Sequence, residues 1–314
     1  MFCGVDMKVI AEACGSSANV GPGFDVFGIA LDAFKDRVEI ELGSDYFIVE
    51  GKYSDEVPHE IGNNLIGAIL DGYRKKTHNS FSLGIRLVKG VPTSLGLGSS
   101  GASSAAFAAA LLYACGQHPI DVKSLLELAS FGEAYVTGSP HMDNLTASVL
   151  GGFTIASKHY DPIRIDPPNW IRILLLIPNK KRVIKDKTRY ARSLLRECYP
   201  LEDYVFGVEH ATTLVKGFLE GDINLIRRGL RDVVATPYRK QLIEGYETIV
   251  KAVEESPAIG CFISGAGPSI AVLTTVQDVD HVHKQLRDML LDNNLDYNIV
   301  ESGVGEGVRV WVEK

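Results

Sequence analysis

Apolar and polar residues along this chain change period several times, and the changes mark out its elements. Residues 8–13 and 36–42 alternate or cluster apolar positions at strand length, and 47–50 reads as a further strand. Between the first two lies SSANVGPGFDVFGIAL, rich in Gly, Pro and Asn at its start and apolar at its end. The period then lengthens. NLIGAILDGYRKK at 64–76 carries apolar residues at about i, i+3 and i+4, the pattern of a helix. A strand at 81–88 runs into a Gly/Ser loop, and helices are predicted at 102–115, 121–135 and 142–149. Strands at 151–157 and 171–177 flank a Pro-rich stretch at 161–168, which places a domain boundary there and gives domains 1–160 and 161–314. The second half predicts helices at 189–195, 201–220, 222–231, 243–255 and 279–292, with strands at 259–264, 270–274, 297–301 and 308–312. Helices mixed with antiparallel-capable strands in this way read as an α+β fold.

Composition narrows the class. A chain of 314 residues suggests about two domains, and 46% hydrophobic with 23% charged residues is ordinary for a globular protein. The net charge of −7 argues against broad nucleic-acid binding, and the one basic run, KKRVIKDK at 180–187, reads as a solvated loop. The strongest apolar runs, near 105–115 and 171–177, are too short to span a bilayer, and the N-terminus lacks the pattern of a signal peptide. Five scattered cysteines show no CxxC or Cys/His spacing, so neither a disulfide framework nor a zinc site is expected and a reducing cytoplasm fits.

The chemistry concentrates at PTSLGLGSSGA, residues 92–102. Gly96 and Gly98 let the backbone pass close to a ligand, because no Cβ blocks the approach. Ser99, Ser100 and Gly101 fall where the first free N–H groups of the following helix point outward, an anion site suited to a nucleotide phosphate. The same residues also suit a plain connector capping a buried helix. The loop is neither a Walker A motif, since no Gly-Lys-Ser/Thr follows, nor a dinucleotide-binding fingerprint. Two further Gly-rich islands, at 15–25 and 265–269, each abut a strand, which suggests three loops converging on one phosphorylated ligand.

In these segments the chain resembles the GHMP kinases, a superfamily of small-molecule kinases. The loop at 92–102 is similar to their second motif and SGAGPS at 264–269 to their third; SSANVGPGFD at 16–25 and SPHMDN at 139–144 resemble the homoserine kinase branch. The resemblance covers the chain nearly end to end. It implies an N-terminal α/β nucleotide-binding domain, a C-terminal ferredoxin-like α/β plait, and phosphorylation of the L-homoserine side-chain hydroxyl by ATP with Mg²⁺, a step of threonine biosynthesis. ATP would lie on Asn64, Pro92, Thr93, Ser94, Leu95, Gly96, Leu97, Gly98, Ser99, Ser100, Gly101 and Ala102, with Asn64 at the nucleoside. Ser100 and Glu133 would hold Mg²⁺, Ser99 being the alternative hydroxyl. By type alone, Glu133 would be an exposed helical glutamate.

For the acceptor, the resemblance implies Asn19, Asp25, His141, Asp143, Asn144, Thr188, Arg192 and Arg239. Asp25 would bind the ammonium, Asn144 would orient the hydroxyl, and the two arginines suit a carboxylate because a guanidinium pairs with it through two parallel bonds. Asp25 and Asn144 are thus the residues nearest the chemistry. A loose transition state asks for little deprotonation, so positioning and Mg²⁺ suffice without an obvious base. One departure is Gly101, where the superfamily usually has alanine; it costs helix stability and is expected to change function little. The expected partner is a small molecule, with no nucleic acid or membrane and with a homodimer left open. The rivals are another GHMP kinase of mevalonate or shikimate type, and a nucleotide-binding protein without turnover.

Overall fold

The computed structural model describes residues 8–157, 161–180 and 187–313. The first half runs β1 (Lys8–Ala18), β2 (Phe27–Leu42), β3 (Tyr46–Glu50), α1 (Leu65–Thr77), β4 (Leu83–Val88), α2 (Ser99–Ala114), α3 (Val122–Thr137), α4 (Met142–Leu150), β5 (Phe153–Ile155) and β6 (Ile163–Ile165). The second runs β7 (Ile171–Pro178), α5 (Lys187–Ser193), α6 (Leu201–Glu220), α7 (Ile223–Gly229), α8 (Thr236–Arg239), α9 (Tyr246–Glu254), β8 (Gly260–Ile263), β9 (Ile270–Thr275), α10 (Val279–Asp292), β10 (Tyr297–Ser302) and β11 (Arg309–Glu313).

Among the described residues the strands form two sheets. The first is ordered β11-β1-β2-β4-β3, with β5 on β2 and β6 on β5; only β3 and β4 run parallel. The second is antiparallel with order β10-β7-β9-β8, which is the ferredoxin-like order for four strands taken in sequence. The α+β expectation holds. The pairing nevertheless crosses the expected division at 160/161, a point that itself borders residues outside the described set. β6 and the C-terminal β11 both belong to the first sheet, β11 pairing Val312 with Val9 and Trp311 with Ile10. The Pro-rich stretch that suggested a linker therefore contains a short edge strand.

α2 explains why the loop before it is rigid. Its sequence, SSGASSAAFAAALLYA, is apolar on nearly every side, and a helix of that kind must be enclosed. It packs against β1, β2, α3 and α4, with Phe107 and Leu111 fully buried. Small alanines allow close approach on all faces. Phe153 on β5 then ties the two halves together: it stacks on Phe218 of α6 at 4.4 Å and meets Phe27 edge-on at 5.1 Å. Truncating an aromatic in such a place costs about 3–5 kcal/mol. The second sheet buries its other face under α9 and α10 through Ile249, Val253, Val282 and Leu286.

Candidate active site

The three Gly-rich islands meet. Ser16 N–H donates to the Leu97 carbonyl at 3.0 Å, Gly265 N–H to the Ala18 carbonyl at 3.0 Å, and the Ser264 hydroxyl to the Gly96 carbonyl at 2.6 Å. Asn19 Nδ2 donates a further hydrogen bond to the Gly265 carbonyl at 2.9 Å. This contact is why two glycines are needed. Gly96 (φ +78°) and Gly98 (φ +64°) hold left-handed conformations, and a Cβ on them would lie 2.1 Å from the Ser264 carbonyl and the Ser16 hydroxyl respectively. Gly98 is also the N-cap of α2 and offers no side chain, so the first N–H groups of the helix stay uncapped by it.

Together these loops wall a cavity of about 800 Å³. Of the residues singled out from the sequence, Asn19, Asp25, Asn64, Thr93, Ser94, Gly96, Leu97, Gly98, Ser99, Ser100, Glu133, His141, Asp143, Asn144, Thr188, Arg192 and Arg239 line it. Pro92, Leu95, Gly101 and Ala102 do not. Leu95 and Ala102 instead enter the apolar core, and Gly101 turns toward the backbone of Asn144. A Cβ there would make an ordinary 3.4 Å contact, so nothing requires glycine at 101.

The floor of the cavity carries a buried ion pair. Lys89 Nζ donates to the Asp36 carboxylate, to Ser103 Oγ at 3.0 Å and to the Ser99 carbonyl at 3.1 Å. The other Asp36 oxygen accepts the N–H groups of Gly90 and Val91, each at 2.9 Å. The pair thus clamps both ends of the loop. Burial pulls the Lys89 ammonium down, and Asp36 holds it up.

Glu133 sits opposite, 2% exposed, on the same face of α3 as Leu126 and Ala129. Its Oε1 has no hydrogen-bond partner, and burial pushes its carboxyl up to about 7, opposed by a hydrogen bond from Ser100 and assisted by the charge of Asp143. Ser99 directs its hydroxyl elsewhere, to the Val91 carbonyl at 3.0 Å. Asp143 is likewise buried and is raised to about 6.

The acceptor end is a mixed-charge cluster. Asn19 and Asp25 both hold positive φ, and Asn19 Oδ1 fixes the turn by accepting from Asp25 N–H at 2.9 Å. Asp25 is ion-paired with Arg192. Arg239 is buried, donates at 3.3 Å to the carbonyls of Ala191 and Gly265, and lies 5.0 Å from the centre of the Phe24 ring. Asn144 accepts from Ser16 Oγ at 3.1 Å, and His141 bonds Thr137 Oγ1 at 3.1 Å. Asn64 caps α1: its Oδ1 accepts from Ile66 N–H at 3.1 Å, and its amide donates to the Pro58 carbonyl at 2.7 Å.

Three wall residues escaped the sequence reading. Glu56 fixes the loop by accepting from the backbone and hydroxyl of Thr93 at 2.7 and 2.8 Å. Lys89 closes a strand of apolar residues, a place where a lone lysine signals a buried partner. Lys187 was hidden in the basic run, whose residues 181–186 lie outside the described set.

Comparison with known proteins agrees with this geometry. The GHMP kinases N terminal domain matches residues 64–152 and the GHMP kinases C terminal domain matches 214–291. A homoserine kinase of Thermoplasma volcanium is 34% identical over 309 residues, covering 97% of this chain and 96% of that one. A crystal structure of homoserine kinase from Cytophaga hutchinsonii superposes with a TM-score of 0.87 at 28% identity, covering 99% of each chain. Mevalonate diphosphate decarboxylase from Enterococcus faecalis shares the fold alone, with a TM-score of 0.69 at 16% identity over 97% of this chain and 99% of that one. The chain belongs to the homoserine kinase family of the GHMP kinases.

Proposed function

We propose that this protein transfers the γ-phosphoryl group of ATP to the side-chain hydroxyl of L-homoserine. The observation that carries the reading is a single cavity with two chemically different ends. One end offers uncapped helix N–H groups behind a glycine loop; the other sets Arg192 and Arg239 beside Asp25 and Asp143. The first suits phosphates and the second a zwitterion.

Asp25 and Arg192 neutralise one another, so an arriving amino acid exchanges one ion pair for two. Its carboxylate takes the guanidinium groups and its ammonium takes Asp25. Asn144, held by Ser16, then faces the hydroxyl. The new bond joins the hydroxyl oxygen to the γ-phosphorus while the β–γ bridging bond breaks, and the hydroxyl proton leaves to solvent or to the product phosphate. Placing both partners in one cavity converts a bimolecular encounter into a step within a complex.

The residues present fit Mg²⁺. Glu133 contributes a buried carboxylate oxygen without a partner, and Ser100 a hydroxyl beside it, which matches an ion that takes one or two protein oxygens with phosphate and water. Bound there, the metal would neutralise charge on the phosphates. Ser99 is the weaker choice because its hydroxyl already bonds Val91. The setting proposed for the reaction is the cytoplasm.

A coupled assay of ADP release with L-homoserine, mevalonate and shikimate tests the assignment. Release dependent on homoserine is expected; clear activity on another alcohol without it overturns the assignment.

A further inference from the structure

Lys187 opens α5, one residue before Thr188, and stands in the cavity wall. Its Nζ donates to the Gly267 carbonyl in the SGAGPS loop and, at 2.9 Å, to the Ser94 carbonyl in the phosphate loop. One ammonium therefore closes the seam between two loops that come from different halves of the chain.

The company of this ammonium differs from that of Lys89 and Arg192, which meet carboxylates, and is like that of Arg239, which also meets two carbonyls. Lys89 has three acceptors, one of them the Asp36 carboxylate. Arg192 is paired with Asp25. Among the described residues Lys187 has two neutral carbonyls for its three N–H groups, which leaves one N–H for a further acceptor. Burial lowers its affinity for the proton to about 7, and the nearby Arg239 pushes the same way. A half-buried cation beside a like charge is costly unless an anion joins it. The stretch 92–102 itself contains no lysine or arginine, so the loop brings no positive side chain of its own to the phosphates, and phosphoryl transfer elsewhere relies on such a charge.

We propose that Lys187 is a phosphate-binding residue of the transfer reaction, its free N–H engaging an oxygen of the terminal phosphate of the bound nucleoside triphosphate. The inference rests on the ATP-dependent reading of the cavity. The joining anion strengthens the hold of Lys187 on its proton, and the residue serves as a charge and not as an acid or base. The bond from the acceptor oxygen to the γ-phosphorus forms, the β–γ bridge breaks, and the ammonium balances charge on the group in flight. Because its anchors are the carbonyls of Ser94 and Gly267, the charge is delivered at the junction of the two loops and not at the acceptor's carboxylate.

The test uses the full chain with Lys187→Met, Lys187→Gln and Lys187→Arg. Glutamine can still donate to both carbonyls and so preserves the clasp while removing the charge. Calorimetry with Mg²⁺ compares ADP with the β,γ-imido analogue of ATP. For both uncharged variants ADP affinity should stay within about twofold of the parent, while that of the analogue falls about tenfold or more, the loss expected for one charge-assisted bond. Turnover should fall about 100-fold at unchanged KM for homoserine, with arginine recovering part of it. Equal losses for ADP and the analogue, or full recovery by glutamine, would show a loop clasp only and overturn the proposal, as would parental turnover in Lys187→Met. The binding comparison needs no acceptor, so a parent that ignores homoserine would sink the assigned substrate and leave this test intact.

Discussion

Two sets of charges face the same loop under opposite conditions. Beneath it, Asp36 and Lys89 satisfy one another and four further groups of the chain: the N–H groups of Gly90 and Val91, the Ser103 hydroxyl at 2.5 Å from Asp36 and 3.0 Å from Lys89, and the Ser99 carbonyl. Across the cavity, among the described residues, Glu133 has an oxygen with no partner and Lys187 is held by neutral carbonyls. A charge whose bonds are all made within the chain fixes a backbone. A charge left incomplete stores an affinity, because the ligand that completes it recovers the desolvation cost. The loop is therefore shaped from below and made reactive from across.

The sharpest way to break this contrast is Lys89→Met, which strands the Asp36 carboxylate in the interior. Losing one partner of a buried pair costs about 3–5 kcal/mol, so urea unfolding should show a drop of that order. Lys187→Met should lose far less, and equal losses would erase the distinction between the two lysines.

At the acceptor end, Arg239→Leu should raise KM for homoserine strongly and leave ATP binding nearly unchanged. Truncating a charge-assisted pair in a desolvated site costs about 2–5 kcal/mol, roughly 30- to several-thousand-fold. Arg239→Lys should recover only part, since an ammonium lacks the planar fork. Parental homoserine affinity in both variants, read by calorimetry, would move the carboxylate clamp to Arg192.

Glu133→Gln should separate function from stability. Turnover at saturating Mg²⁺ is expected to fall about 10²- to 10³-fold, while unfolding in urea should show a protein as stable as the parent or more so, because an unpaired buried carboxyl has been made neutral. A destabilised, fully active variant would reverse the comparison.

The smallest effect is a pH slope. Asp143 is raised from 3.8 to about 6 by burial, with the Asp25 charge adding to it and the Asn144 N–H opposing. Below the unfolded value both states hold the proton; between the two values the folded state holds it and the unfolded state releases it. Stability therefore falls as pH rises across that interval, by about 3 kcal/mol in all from this group. Asp143→Asn should flatten the slope by that amount in thermal melts taken from pH 4 to 7. An unchanged slope would mean that the carboxyl finds water.

Much of the fold could be read along the chain because its signals are local. The helix at 201–220 and that at 279–292 have their expected bounds, since Gly221 ends the first in a left-handed cap and apolar spacing fixes the second. β1 and β2 are longer than expected: GSSA at the end of β1 and FGIAL at the start of β2 are strand only because each pairs with the other, around a bulge at Cys14/Gly15. In the site, Glu133 was readable in principle, since it repeats the spacing of Leu126 and Ala129 on a buried face. Lys187 was not, because a basic run looks the same whether its last residue meets water or two carbonyls.

What the sequence determined by itself is therefore the set of parts: glycines where the backbone must turn left-handed, an alanine-rich helix that has to be enclosed, and arginines in the segments KTRYARSLL and ATPYRKQL. Those follow from the conformational and solvation preferences of single residues and their near neighbours. The tertiary structure decided which parts share a cavity, which serine faces Glu133, and that β11 returns to the first sheet beside β1. It also decided which of two lysines is fully paired. Such outcomes depend on groups from different elements of the chain meeting where water is scarce, and there the strength of a charge is set by its partners and not by its type.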